Sequence, residues 1–475
     1  MKKLVFPLLL SILVVSCKKD EATLSELPGH EMSEMAAKSQ SNISIEEIKE
    51  AGLNFINARQ AQNPAVGNLS SSSRGPVRRA GAQKNVKNVV AHKSKDGLST
   101  VFVVNYSPVG FTILSDNKNA NPVLAFSDSG EFDINKIGFS VGLEGWVDES
   151  LTYVKERKLV SDSTSRSNNL KWALLLDKNA PAEARTTTAL SYGITSTDPR
   201  MTAMNQRMAQ LLEASDWSSS VIPLSAAASY LPPERLSHFK SIAQSHSSPE
   251  QYTIVEILNK NVTTQRGPLM GTHWYQQGVF GAAVPNGYAG CTAIAAGQIM
   301  NYYRYPVQFN WNNMTNSNLF VYPDISQFMY TLGQAFHMDY TPTGSGANYQ
   351  DVEDALEDYG YNVVVKDHAL SDVQSAINTG RPVYLRGCDG AECHAWVTEG
   401  YRQIEEAKAF RIEWQTSSYT YQTDGIQYYQ PGNMYLYFYI NWGWGESYNG
   451  WYSSFTNSGS NNFSSSRKNL YITRP

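Results

Sequence analysis

Short alternating apolar runs at Val86 to Ala91, Thr100 to Asn105, Gly110 to Leu114 and Val123 to Phe126, each bounded by Gly, Pro, Asn or Asp, predict an antiparallel meander. Ahead of them Ile45, Ile48, Phe55 and Ile56 recur at roughly helical spacing, behind a Ser44 and Glu47 pair set as a capping box. A Ser- and Arg-rich stretch over 68–84 separates helix from strands, and together they read as a small α+β unit over 43–135. Helical spacing returns around Leu143 to Val154, Ala203 to Leu212 and Glu234 to Ala243, with Ser- and Pro-rich joints, so 136–255 reads as a helical extension or linker. From about Ile254 the chain is enriched in Gly, Tyr, Trp and Asn to its end, and 256–475 reads as a further domain. The polar residues of 17–42 show no sustained periodicity and read as a tether. No internal repeat is visible.

The start of the chain carries an address. Lys2 and Lys3 precede a mostly apolar run from Leu4 to Val15, which is too short to span a bilayer and reads as an export signal. Val14-Val15-Ser16-Cys17 resembles a bacterial lipobox, in which the signal (1–16) is cut away and the thiol of Cys17 is acylated. An ordinary signal peptide that happens to hold a Cys is the alternative. Lys18-Lys19-Asp20-Glu21 resembles the charged tag of Bacteroides-type surface lipoproteins. The expectation is an exported lipoprotein of the outer membrane or cell surface that meets the membrane through its anchor only, with release after processing left open.

Composition narrows the chemistry. A chain of 475 residues suggests two or three domains, and a net charge of −4 with only 17% charged residues offers no basic face to nucleic acid, so no nucleic-acid partner is expected. Tyr and Trp are concentrated in the second half, as suits a β-rich exported domain with large side chains around a cleft. Of the 4 Cys, setting Cys17 aside leaves Cys291, Cys388 and Cys393 in an oxidising compartment, and an odd number leaves one thiol free. Cys388 and Cys393 bracket a short Gly-containing loop and can bridge where that loop folds back tightly; Cys291 is then the odd thiol.

Cys291 follows Gly287-Tyr288-Ala289-Gly290 and opens the helical run Thr292 to Met300. At a helix start, free backbone N–H groups and the helix dipole favour a thiolate nucleophile, although a small Cys packing as a hydrophobe is the plainer reading of this run alone. A thiol nucleophile needs a base. His394 stands before the strand-like run Ala395 to Tyr401 and just behind the Cys-bracketed loop, whereas His273, His337 and His368 lack such framing. Asn441-Trp442-Gly443-Trp444-Gly445 follows another strand-like run; the Asn441 side chain can orient an imidazole and Trp442 can shield that bond, or the segment is an aromatic-rich turn. Gln276 lies fifteen residues ahead of Cys291, and its amide suits an oxyanion donor.

Taken in order, Gln, Cys, His and Asn-Trp follow the chain order of papain-like enzymes. GCTAIAAGQIMNYYRYP at 290–306, CHAWVTEGY at 393–401 and INWGWGESYNGWY at 440–452 resemble the streptopain family of cysteine peptidases, over roughly 260–475. The resemblance implies an α+β, papain-like catalytic domain, with the nucleophile on a helix and the His on an antiparallel sheet. It implies Cys291 as nucleophile, His394 as base, Gln276 at the oxyanion and the Asn441-Trp442 pair behind the imidazole. It further implies an endopeptidase acting on proteins or peptides, favouring a large apolar residue one place before the residue at the cut. One departure is Cys393, where the family usually has Gly. The first half more weakly resembles, at Val101 to Asn105, Gly110 to Ser115 and Pro122 to Leu124, the inhibitory prodomain of such enzymes, which makes the chain's own prodomain a partner and the protein a zymogen. Gln265-Arg266-Gly267 is then a candidate cutting site. No metal or organic cofactor is expected, because the remaining Cys and His lack zinc-ligand spacing with Cys291. The rival functions are a catalytically inactive surface-anchored binding lipoprotein of the same fold and an acyl-transfer enzyme such as a transglutaminase or amidase.

Overall fold

Helix α1 (Ile45–Gln62) starts at the expected box: Ser44 N donates to Glu47 Oε2 at 2.8 Å and Glu47 N donates to Ser44 Oγ at 3.2 Å. The computed structural model describes residues 43–62, 83–139, 141–160, 168–169, 171–172, 175–176, 198–213, 218–229, 231–316, 323–342, 344–389, 392–453 and 467–475. Cys17, the export signal, the tether and most of the Ser- and Arg-rich stretch lie outside them. The expected strands are β1 (Asn85–Lys93), β2 (Thr100–Ser107), β3 (Phe111–Ser115) and β4 (Val123–Ser127), paired antiparallel in sequence order. Ile48, Ala51 and Ile56 of α1 pack on Phe102, Val104, Tyr106 and Leu114, whereas Ile45, expected on that face, is exposed at the first turn. Helix α2 (Val141–Lys158) covers the opposite side of the meander, burying Leu143, Trp146, Val147, Leu151 and Val154 against Val101, Val103, Phe111 and Ile113.

Next come α3 (Pro199–Glu213), β5 (Ser218–Pro223), α4 (Pro233–Ser245) and β6 (Ile254–Arg266). The last part begins with α5 (Cys291–Tyr303), α6 (Asp324–Ala335), a hairpin of β7 (Asp339–Thr341) with β8 (Gly344–Gly346), α7 (Tyr349–Asp358), β9 (Asn362–Asp367) and α8 (Leu370–Asn378). It closes with β10 (Val383–Asp389), the long β11 (Glu392–Gln415), β12 (Tyr421–Gln422), β13 (Ile426–Asn441), β14 (Gly450–Ser453) and β15 (Lys468–Thr473). Among the described residues, 13 strands form one sheet whose main path runs β1-β2-β3-β4-β14-β13-β11-β10-β15-β9, with β6 and β12 on β11 and β5 on β6.

The fold class is the expected α+β arrangement, with the helix that begins at Cys291 set against an antiparallel sheet that carries His394. Side chains alternate across β11 with a period of two. Ala395 and Val397 face a core built from α5, α6 and α7, including Ala293, Ala296, Ile299, Phe328 and Met329. Trp396, one residue between them, faces the opposite core with Phe438, Trp442, Tyr452 and the apolar side of α2.

The 198–266 stretch is joined to this sheet. All 13 residues of β6 pair with β11, from Ile254 opposite Glu413 to Arg266 opposite Tyr401. Phe239 of α4 and Ile257 of β6 bury against Phe410, Ile412 and Trp414 of β11. This corrects the expectation of a cutting site at Gln265-Arg266-Gly267, because Gln265 and Arg266 are ladder partners of Arg402 and Tyr401. A protease needs an extended, unpaired segment, so the strand would first have to leave the sheet.

Candidate active site

Gly290 sets up the start of α5 at Cys291. Its φ is +84, and a Cβ there would sit 2.7 Å from the Ser345 carbonyl oxygen, so only glycine fits this turn against the β7–β8 hairpin. Ile294 N donates to Gly290 O at 3.1 Å, which makes Cys291 the first helical residue, half-buried, with its own backbone N–H unspent by the helix ladder. Burial pushes the Cys291 thiol up, but the His394 imidazole, as both charge and hydrogen-bond partner, outweighs it with help from Ala395 N–H and the Thr292 hydroxyl, and brings the thiol down to about 7. The structure therefore brings together the two residues that the sequence singles out. Cys291 is the free cysteine among the described residues, since Cys388 and Cys393 form a disulfide across directly opposed positions of β10 and β11. That bridge ends one residue before His394.

His394 is buried and boxed by aromatic rings. Its imidazole lies parallel to Trp444 (5.7 Å between centroids, 3° between planes), with Trp396 at 6.1 Å and Trp442 at 6.4 Å. The partner of Nε2 is the Trp442 backbone carbonyl at 3.3 Å. This corrects the expected role of the Asn441 side chain as the direct orienter. Asn441 is fully buried and turned the other way: its Nδ2 donates to Thr272 O at 2.9 Å, and its Oδ1 accepts from Gly443 N and Gln298 Nε2, each at 3.2 Å. Trp442 lies beside the imidazole, with no Asn441–imidazole bond for it to shield, and Trp444 lies more nearly parallel to the ring.

Gln276 sits on the strap that runs from β6 to α5. Its backbone carbonyl accepts from Ala289 N at 2.8 Å, which fixes it beside the turn into α5, and its buried Nε2 has no acceptor among the described residues. An unspent buried donor is costly unless something fills it, as an oxyanion would. Among the described residues no group of His, Cys, Asp and Glu is arranged to hold a metal.

Sequence reasoning missed the closest approach from the first half of the chain. Gly142, at the start of α2, lies against the site: a Cβ there would meet Trp442 at 2.7 Å, His394 Cδ2 at 3.3 Å and Trp396 at 3.4 Å. A glycine in a helical run carries no signal of so distant a contact.

Residues 42–152 match the Spi protease inhibitor family model, and residues 307–452, which include His394 and the 441–445 turn, match the Peptidase C10 family model; Cys291 and Gln276 lie ahead of the second match. Streptopain of Streptococcus pyogenes is 22% identical over 394 residues, 73% of this chain and 72% of its own. A thiol protease/hemagglutinin of Porphyromonas gingivalis is 25% identical over 237 residues, 41% of this chain, and the chain spans only 24% of that relative's length. A solved structure of a Prevotella intermedia prointerpain A fragment aligns over 81% of this chain and 98% of its own, at 15% identity and a TM-score of 0.37. Aligned to streptopain across most of its length, with an inhibitor match ahead of a peptidase match, the chain is similar to the streptopain-like cysteine peptidases that carry an N-terminal prodomain.

Proposed function

We propose that the chain is the zymogen of an exported, lipid-anchored cysteine endopeptidase, with Cys291 as nucleophile and His394 as its acid and base. The observation that carries this reading is the Cys291 thiol held down to about 7 by His394 against the opposing effect of burial. The Cys291 thiolate attacks the peptide carbonyl carbon, and the resulting oxyanion takes hydrogen bonds from Gln276 Nε2 and Cys291 N–H. The His394 imidazolium gives its proton to the departing amine as the C–N bond breaks. Water, deprotonated by His394, then attacks the thioester carbonyl; the C–S bond breaks, releasing the acid and restoring the thiolate. Trp442 O holds the imidazole by its other nitrogen, and Trp444 and Trp442 keep water from that bond. The α2 start at Gly142, pressed on His394, supports the prodomain as the chain's own inhibitor. Cys17 is the proposed site of lipid attachment, placing the protein at the outer membrane or cell surface.

The test uses the chain lacking residues 1–17 beside its Cys291→Ala variant, incubated with casein and a mild reductant before and after limited proteolysis. Hydrolysis that appears on nicking, and only with Cys291 present, is the expected result; two equally inert nicked proteins would sink the peptidase reading. For the anchor, full-length chain expressed in a bacterium should incorporate labelled palmitate, and Cys17→Ser should incorporate none.

A further inference from the structure

Three polar side chains with no exposed surface meet beneath the candidate site: Gln298 on α5, Asn441 at the end of β13 and Glu399 on β11. Gln298 Nε2 donates to Asn441 Oδ1, and Gln298 Oε1 accepts from Asn441 Nδ2, both at 3.2 Å. Gln298 Oε1 also accepts from Trp274 N at 3.2 Å. Asn441 Nδ2 approaches Glu399 Oε1 at 3.4 Å, and Glu399 Oε2 accepts from Met270 N at 2.5 Å, while its backbone carbonyl accepts from Leu269 N at 3.0 Å.

Each member belongs to a segment that carries a different part of the site. Gln298 is two turns along α5 from Cys291, and Glu399 is five residues along β11 from His394. Asn441 precedes Trp442, whose carbonyl takes the imidazole nitrogen. Trp274 and Met270 belong to the strap that carries Gln276. Filling this point with apolar side chains would satisfy packing alone, whereas hydrogen bonds fix how four segments slide and turn against one another. Burial also pushes the Glu399 carboxyl up to about 8, although the bonds from Met270, Asn441 and Leu269 oppose that.

We propose that Gln298 and Glu399 are positioning residues for the Cys291–His394 pair, acting through Asn441 and the Trp442 carbonyl to set the alignment of thiol and imidazole. The inference rests on the reading of that pair given above. Its test is the pH profile of Cys291 alkylation by iodoacetamide in the full chain, followed on the Cys291 peptide by mass spectrometry, which needs no peptide hydrolysis. A chain that alkylates with a depressed inflection but cleaves no casein counts against the peptidase reading and leaves this one standing.

The wild type should inflect near 7. Gln298→Met, which keeps length and removes all three hydrogen bonds of the amide, should move the inflection up by about one unit, slowing alkylation roughly tenfold at pH 6. Glu399→Gln, which keeps volume but sets an NH2 against one of two donors, should move it about half as far, and His394→Ala marks the upper limit. Glu256→Gln, a buried carboxyl in the distant β6–β11 contact, is the control: it should lower the melting temperature and leave the inflection in place. The proposal is overturned if Gln298→Met and Glu399→Gln behave like the control, or if the wild type shows no depressed inflection. Should Gln298→Met not fold, the Glu399→Gln profile alone decides.

Discussion

Two regions precede Cys291 in the chain, and they are joined to the peptidase part in opposite ways. Among the described residues the inhibitor-type region enters the sheet through the Phe126–Trp451 and Ala125–Tyr452 pairs alone, yet its α2 start reaches His394 and its apolar side packs on Trp396, Trp442 and Tyr452. The 198–266 region pairs along all of β6, buries a cluster of its own with Phe410, Ile412 and Trp414, and adds Arg207–Glu413 and Arg411–Glu256 ion pairs. None of its described contacts reaches Cys291 or His394. Contact with the site, rather than extent of contact with the protein, separates the two. The first region covers chemistry and shares little ladder; the second shares ladder and covers none. Removing the second would bare β11 from Tyr401 to Glu413 as an unpaired edge, which sheets avoid.

The largest effect should follow from attacking the second region. Ile257, 3% exposed among Phe239, Phe410 and Ile412, cannot take a charge without stranding it, so Ile257→Asp should cost about 3–5 kcal/mol. Denaturant unfolding of the uncleaved chain reads this directly. A midpoint that barely moves would show that 198–266 is an appendage and would dissolve the contrast. In the same vein, material nicked between the two regions and passed over a sizing column should retain 198–266 with Cys291 and His394.

The next effect is smaller in energy and larger in activity. Gly142→Val places a branched side chain where even a Cβ stands 2.7 Å from Trp442, and overpacking of this kind costs about 1–3 kcal/mol. That cost falls on docking of the inhibitor-type region, so casein hydrolysis should appear in the uncleaved chain and the unfolding midpoint should fall modestly. Latency identical to the wild type would mean that the inhibitory contact lies elsewhere.

Legibility followed the range of the interaction. The capping box at Ser44 and Glu47, the strands β1 to β4 and the start of α5 at Cys291 were all readable, because periodicity and end signals act over a few residues. The pairing of Cys291 with His394 was readable only through motif order. Gln298 sits inside an apolar helical run, where a lone Gln gives no hint of a partner 143 residues away. The motif puts Asn441 in the right neighbourhood and on the wrong bond, since which way an amide turns depends on the donors that crowd it. Local composition shifts inside β6, which puts a domain boundary at 255/256, while the partner of that strand, β11, lies far along the chain.

The smallest effect sharpens the comparison most. Arg207 grips Glu413 with two bonds, Nε to Oε2 at 2.8 Å and Nη2 to Oε1 at 3.0 Å, but its own side chain is 34% exposed and water screens part of the attraction. Glu413 is almost wholly buried and keeps Arg411 as a second, looser neighbour at 3.5 Å, so Arg207→Ala weakens the compensation of a buried carboxylate without leaving it alone. The expected loss is about 1 kcal/mol, well short of the cost of fully stranding a buried charge. Denaturant unfolding should register that loss while the pH profile of Cys291 alkylation stays in place, because no described contact of the ion pair reaches the thiol or the imidazole. If the alkylation profile moved with so mild a change at the far end of β11, the strand would be transmitting strain to His394, and the division between a region that supports the sheet and one that covers the site would have to be given up.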